Sequence, residues 1–265
     1  MAKLKGDFSF TGSMGNISVY KRHDIDEPIM RTKGGATKEK IKTADSFEET
    51  RRLNSEFGGR ARTSRMVMRS IRHLKPMADY NIAGPINALL KHVQLLDTES
   101  AHGQRHVQLT KNPQLLEGFS LNKKRLFDSI IRSHINYTLS RRDRSVRIQV
   151  PALLPEINFL PQVSYPMFSL VVTLGIIPDV FYNSYGYRST TSEYGDGYDL
   201  PLYTDWFPAL KGSPEQTLEL SLPDEMPDEA YSVIAGIGIR FGVFKEAGNI
   251  DQVPRAGSAR VLAMA

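Results

Sequence analysis

The chain has no cysteine and only one tryptophan in 265 residues. The first absence removes disulfides, thiolate-held zinc, iron–sulfur clusters and thiol nucleophiles together. No run of about 20 apolar residues occurs, so no membrane-spanning helix is expected. The start, MAKLKGDFSF, lacks the apolar core of a signal peptide, and a cytoplasmic location is expected. Catalytic signatures are missing as well. There is no G-x-S-x-G, no S-x-x-K, no H-E-x-x-H and no G-K-[ST] loop. His102 and His106 stand four apart with Gly103 between them and no acidic third ligand nearby, which is not a metal-ligand set. The chain is therefore read as a non-enzyme with no cofactor and no metal.

What is present is charge, unevenly placed. Residues 1–150 carry 28 Lys/Arg against 15 Asp/Glu, and residues 151–265 carry 6 against 14. A net +5 thus conceals a front half of +13 and a back half of −8. Such polarity points to nucleic acid bound by the front, or to self-assembly in which the basic half of one copy meets the acidic half of another. Complementarity within one chain is the third reading.

The most helix-like stretch is 45–76, ADSFEETRRLNSEFGGRARTSRMVMRSIRHLKP. Ser46 with Glu49 forms a capping-box pattern, and the acids sit where the helix dipole favours them. Pro76 closes the segment. Arg62, Arg65, Arg69 and Arg72 are spaced i, i+3, i+7, i+10, which places all four in one stripe at about 100° per residue. Phe57, Ala61, Val67, Met68, Ile71 and Leu74 fall on a second, apolar face. The pair Gly58–Gly59 costs roughly 2 kcal/mol against alanine in a helix interior, so a kink or break is expected there. Arginine rather than lysine suits bidentate contact with phosphate or carboxylate.

Ahead of this helix, Ile17–Tyr20 and Pro28–Arg31 flank a polar turn and read as a small hairpin, bordered by Lys21, Arg22, Arg31 and Lys33. Behind it, residues 78–97 hold a second helix with Pro85 at its start and Ile86, Leu89, Leu90 and Val93 on its apolar face. From 118 onward short strands dominate: 135–139, 146–150, 165–174, 217–222, 231–244 and 259–263. In the strand at 231–244, Ile237, Ile239 and Phe241 share one face, with Gly236, Gly238 and Gly242 between them, a sign of close backbone approach or a bulge. The expected fold class is α+β: an N-terminal hairpin and helices followed by an antiparallel β-sandwich. The expected domains are 1–117, basic and helical, and 118–265, the sandwich.

The motifs GSMGNISVYKR, PIMRTKGG, KEKIKT and FEETRRLNSEFGGRA, with the later LLEGFSLN and GSARVLAMA, resemble a family of uncharacterised proteins from Bacteroidota genomes. That family opens with a Gly-x-x-Gly hairpin and a basic helix. The resemblance implies a helical front and a β-sandwich back, and implies no activity.

Residues 181–207, FYNSYGYRSTTSEYGDGYDLPLYTDWF, read as a long loop rich in tyrosine. Tyrosine with serine, glycine and asparagine is the composition of adaptable binding surfaces. Tyr185, Tyr187, Tyr194, Tyr198 and Trp206 are the candidate contact residues, beside Arg62, Arg65, Arg69, Arg72, Lys21, Arg22 and Arg31. Glu193, Asp196, Asp199 and Asp205 offer a calcium alternative outside any EF-hand pattern. Carbohydrate stacking on the tyrosines is a third option, against which the lack of an export signal weighs. The preferred function is a non-catalytic interaction or assembly protein, docking through the basic helix and the tyrosine-rich loop. The alternative is sequence-independent nucleic-acid binding by the basic half, strongly salt-sensitive.

Overall fold

The computed structural model describes residues 2–3, 10–22, 25–162, 164–189, 197–222, 230–245 and 248–265. The chain forms two compact units that divide at Arg51/Arg52. In the first, strands β1 (Ala2–Lys3), β2 (Gly12–Met14), β3 (Ile17–Arg22) and β4 (Ile25–Thr32) make an antiparallel sheet ordered β1-β4-β3-β2. Val19 and Ile29 are buried in it. A short helix, α1 (Lys38–Thr43), follows, and the Thr37 hydroxyl accepts the Lys40 N–H at its start.

A 3-10 turn at Asp45–Phe47 leads into α2 (Glu48–Ser70), whose first turn holds Glu48 and Glu49. The helix runs through Gly58 and Gly59 without interruption, contrary to the expected break. Its buried face also differs from the predicted one. Phe57 is exposed, while Glu56, Gly59, Arg60, Thr63, Ser64, Met66, Val67 and Ser70 are buried. The first half of α2 therefore faces a polar network rather than an apolar seam. Pro76 sits in a 3-10 turn at Lys75–Met77 beyond the helix end. Helix α3 spans Ala83–Leu95 and buries Ile86, Leu90 and Val93. A four-residue helix, α4, covers Phe127–Ile130.

The strands that follow are β5 (Asn136–Ser140), β6 (Ser145–Val150), β7 (Met167–Pro178), β8 (Val180–Asn183), β9 (Gly186–Ser189), β10 (Tyr198–Tyr203), β11 (Phe207–Pro208), β12 (Gln216–Ser221), β13 (Tyr231–Phe244) and β14 (Ile250–Met264). The larger sheet is ordered β10-β7-β13-β14, with β11 also on β7, and the smaller is β12-β6-β5. All these pairings are antiparallel, so the α+β class and the sandwich expected from sequence are present. Phe168, Leu170, Val172, Leu174 and Ile176 of β7 share one apolar cluster with Val146, Ile148 and Val150 of β6 and Leu218 and Leu220 of β12.

The intervening residues Val171 and Ile177 face the other way, into a cluster with Met66, Val67, Ile71, Leu74 and Met77 and with Ile86, Leu90 and Val93 of α3. The larger sheet is thus the middle layer, helices on one face and the small sheet on the other. A strand buried on both faces reads as a continuous apolar run, as MFSLVVTLGII does. The helices from 52 onward complete the sheet's second face and belong with it to the unit Arg52–Ala265. Room for them comes from the β13 glycines. A Cβ at Gly236 would lie 2.5 Å from Leu74 Cδ1, and one at Gly238 would lie 2.8 Å from Met77 Cε.

The loop after α3 is fixed by Asp97. Its carboxylate accepts the N–H groups of Glu99, Ser100 and, at 2.7 Å, His106. Burial opposes ionisation, but these donors outweigh it and hold Asp97 down at about 2. A carboxyl depressed in the folded state contributes stability above its unfolded value and loses it as pH falls through the folded value. Asp97→Ala is expected to cost about 1–2 kcal/mol at pH 7, after allowance for partial exposure. The deficit should vanish between pH 4 and pH 2 in urea titrations of both proteins. An undiminished deficit at pH 2 would assign the loss to packing alone. Among the described residues no helix is long and apolar enough to cross a membrane.

Candidate functional site

The arginine stripe lies on the outward side of α2. Arg65, Arg69 and Arg72 are exposed and Arg62 is half-buried, with its Nε enclosed and without a hydrogen-bond partner. Arg72 at the end of the stripe is neutralised within the chain. Its Nε lies 3.0 Å from Asp199 Oδ1. The same carboxylate, whose side chain is 2% exposed, lies 3.2 Å from His73 Nε2. His73 Nδ1 is 2.8 Å from the Tyr203 hydroxyl. An imidazole that donates Nε2–H to Asp199 accepts the phenol proton at Nδ1. Burial pushes the Asp199 carboxyl above its ordinary value, while Arg72 and His73 pull it back. Burial also raises the Tyr203 phenol, against Arg240. Arg72, His73, Asp199 and Tyr203 are thus linked by short polar contacts, a clamp joining β10 to the turn that follows α2.

The segment 181–207 is not a loop in its described part. β8 and β9 pair as a hairpin, turning at Ser184–Tyr185, and β10 joins the larger sheet beside β7. The alternation Tyr198-Asp199-Leu200-Pro201-Leu202-Tyr203 carries the strand: Tyr198, Leu200 and Leu202 pack on the sandwich core. Sequence reading missed it because tyrosine, proline and aspartate hide a period of two.

The predicted aromatic contacts divide accordingly. Tyr185 is 82% exposed at the hairpin tip. Tyr187 is buried against α2, where its ring occupies the space a Cβ at Gly59 would need. Its hydroxyl bonds the Arg105 carbonyl at 3.0 Å, and burial, with Glu56 nearby, raises the phenol. Tyr198 is part of the core edge. Trp206 packs on Gly242 and, with Tyr203, brackets the Arg240 guanidinium at 4.4 Å from each ring. Of the predicted contact residues, Tyr187 is thus buried against α2, while Tyr198 and Trp206 are partly buried, against the core and against Arg240. The room for Tyr187 and Trp206 is left by glycine on α2 and β13. Tyr194 lies outside the described residues, as do Glu193 and Asp196 of the calcium alternative; of its other two acids, Asp199 is engaged by Arg72 and His73 and Asp205 is exposed.

In the first unit, Lys21 and Arg31 are exposed on the β3–β4 hairpin, and Arg31 lies over the Tyr20 ring at 5.5 Å. The side chain of Arg22 lies outside the described residues.

Sequence reasoning did not anticipate an open groove between α2 and α3. Phe57, Arg60, Ala61, Ser64 and Met68 line one wall, and Ala83, Gly84, Asn87, Ala88 and Lys91 the other. Its volume is about 520 Å³. On α2 the lining positions recur at helical spacing. On α3 they form a run of small side chains opposite the buried Ile86–Leu90–Val93 face. That run was the available signal, since a second face of small residues on an amphipathic helix leaves room beside it. Arg60 is 9% exposed; one guanidinium N–H donates to Gln94 Oε1 at 2.7 Å, and its Nε has no partner. Glu56, one turn earlier, is committed to the Gly103 N–H at 2.9 Å and to Arg105.

No protein-family model, curated protein or solved structure matches the chain.

Proposed function

We propose that the protein is a non-catalytic docking subunit that meets an acidic protein surface, or the acidic part of a second copy, through the outward face of α2. The observation that carries this reading is the register of exposed Arg65 and Arg69, with half-buried Arg62 on the same stripe, along one long helix. Arginine forks suit carboxylates on a facing protein. Exposed Tyr185 adds an aromatic anchor of the kind enriched at interfaces. The charge division of the chain supports a partner of negative sign, in a cytoplasmic setting. Arg72 is excluded from the contact set, because Asp199 already holds it.

A photo-crosslinking residue placed at 65 or 69 tests this in cells that carry the gene. A control probe goes at Glu219, exposed on the small sheet. A discrete protein adduct is expected from positions 65 and 69 and not from 219. Arg62→Glu combined with charge reversal at whichever of 65 and 69 lacks the probe should reduce the yield at least tenfold, since charges at an interface act on encounter and register. Identical labelling from all three sites, or none from α2, would overturn the reading. Retardation of random duplex by the purified protein, lost with the same reversal, would transfer the stripe to nucleic acid.

A further inference from the structure

The groove between α2 and α3 is apolar along its length and cationic at the side chains that close it. Phe57, Ala61, Met68, Ala83 and Ala88 supply the apolar surface, and Arg60 and Lys91 stand on opposite walls. Its volume of about 520 Å³ falls within the range of small-molecule sites, roughly 300–1,000 Å³.

Two features separate this groove from ordinary helix packing. The first is space. A Cβ at Gly84 would meet nothing within 4 Å, so α3 does not use this glycine to approach a neighbour. The second is Arg60. Nine-tenths of this residue is buried, its Nε makes no hydrogen bond, and among the described residues no carboxylate lies at ion-pair distance from it. The guanidinium donates to Gln94, lies 5.8 Å over the Phe57 ring and feels the charge of Glu56 nearby, yet burial still lowers its pKa, so this cation is held at a cost. Glu56 is the nearest carboxylate along the helix, and it serves the Gly103 backbone and Arg105 instead. Arg60 and Lys91 line the groove and no carboxylate does, so its lining carries positive charge only.

We propose that this groove binds an anionic amphiphile, a long-chain aliphatic carboxylate, with its head between Arg60 and Lys91 and its chain along Phe57, Ala61, Met68, Ala83 and Ala88. Charge complementarity selects the head group and the apolar walls select the chain. Because the site is open along one side, chain length is read loosely and head charge strictly. This inference is independent of the docking face: the stripe of Arg62, Arg65 and Arg69 does not line the groove.

Titration calorimetry of the full chain with dodecanoate below its micelle concentration is the test, with dodecyltrimethylammonium as the cationic control. Saturable 1:1 binding of dodecanoate is expected, at least tenfold tighter than the control. Lys91→Glu should weaken it about tenfold and reverse the preference for charge. Gly84→Leu should fill the groove and abolish binding while leaving the melting temperature unchanged or raised, because the added side chain enters open space. Arg60→Gln should also lose binding, but its burial makes it the less clean variant; the two α3 substitutions decide. Equal affinity for both detergents, unaltered dodecanoate binding in Gly84→Leu, or no saturable binding would each overturn the proposal. Binding of an acidic peptide but not of dodecanoate would overturn it too, and would assign the groove to a protein partner.

Discussion

Asn122→Ala should lower the unfolding free energy by about 3–4 kcal/mol, because it strips one side chain from four hydrogen bonds at once. Asn122 is 3% exposed. Its Nδ2 donates to the Met77 carbonyl at 2.8 Å and, more weakly, to the Gly257 carbonyl at 3.4 Å. Its Oδ1 accepts the Ala259 N–H at 2.9 Å and the Ser258 hydroxyl at 3.1 Å. The position explains the need. Residues 118–121 run beside β14 and cover its outer edge: Gly118 N–H donates to the Val261 carbonyl, Val261 N–H to Phe119, and Leu121 N–H to Ala259. At Asn122 the side chain's amide takes over where the backbone pairing ends, and ties the same point to the turn that ends at Met77. A buried group left without its partner costs about 1–3 kcal/mol, and truncation leaves at least two. For a chain of this size that corresponds to roughly 6–16 °C in melting temperature. Urea unfolding of the variant measures it directly. A loss under 1 kcal/mol would mean that water or a local shift replaces the amide.

The second large effect distinguishes two adjacent glycines. Gly59→Val is expected to destabilise by about 3 kcal/mol, whereas Gly58→Ala should stabilise by about 1 kcal/mol. A Cβ at Gly59 would lie 2.6 Å from both Cδ1 and Cε1 of Tyr187. The ring is held in place by its hydroxyl bond to the Arg105 carbonyl and by an edge-on contact with Tyr182 at 5.1 Å. On the other side of the clash is helix backbone, so neither partner can yield cheaply. At Gly58 an added Cβ meets nothing within 4 Å, and only the intrinsic preference of alanine for the helix remains. Thermal melts of the two single variants should therefore move in opposite directions. A shift of the same sign in both would show that helix propensity, not Tyr187, governs this turn.

These two sites also mark where reading the chain by its residues succeeded and where it stopped. The motif that contains Asn122, LLEGFSLN, stood out as a pattern, yet nothing local announced that it would cover a sheet edge. The glycine pair was noticed, but local propensity argued for a kink or a break, and α2 continues through it as one helix, with Tyr187 filling the vacancy at Gly59. The glycines of β13 were read correctly as close approaches, since Ile237, Ile239 and Phe241 fix which face they occupy. The arginine spacing was legible as well, yet its last member lies beyond the end of α2 and is held by Asp199, 127 residues away. The tyrosine-rich segment was misread as a loop because Leu200 and Leu202 are too few to reveal β10 against its polar neighbours.

By itself the sequence determined what repeats over a few residues: helical spacing in α2 and α3, alternation in β6, β12 and β13, the hairpin of β3 and β4, and an unequal division of charge. Each of these depends only on neighbours whose geometry the backbone period dictates. The tertiary structure alone decided which of those faces would be covered: helices laid on the middle sheet, Tyr187 locked over Gly59, Arg72 clamped to Asp199, and a groove left open beside Arg60. Such choices are made between residues as far apart as Asn122 and Ala259, 137 positions along the chain. Burial and polar satisfaction at that range belong to the packed whole, and no window of neighbouring residues contains them.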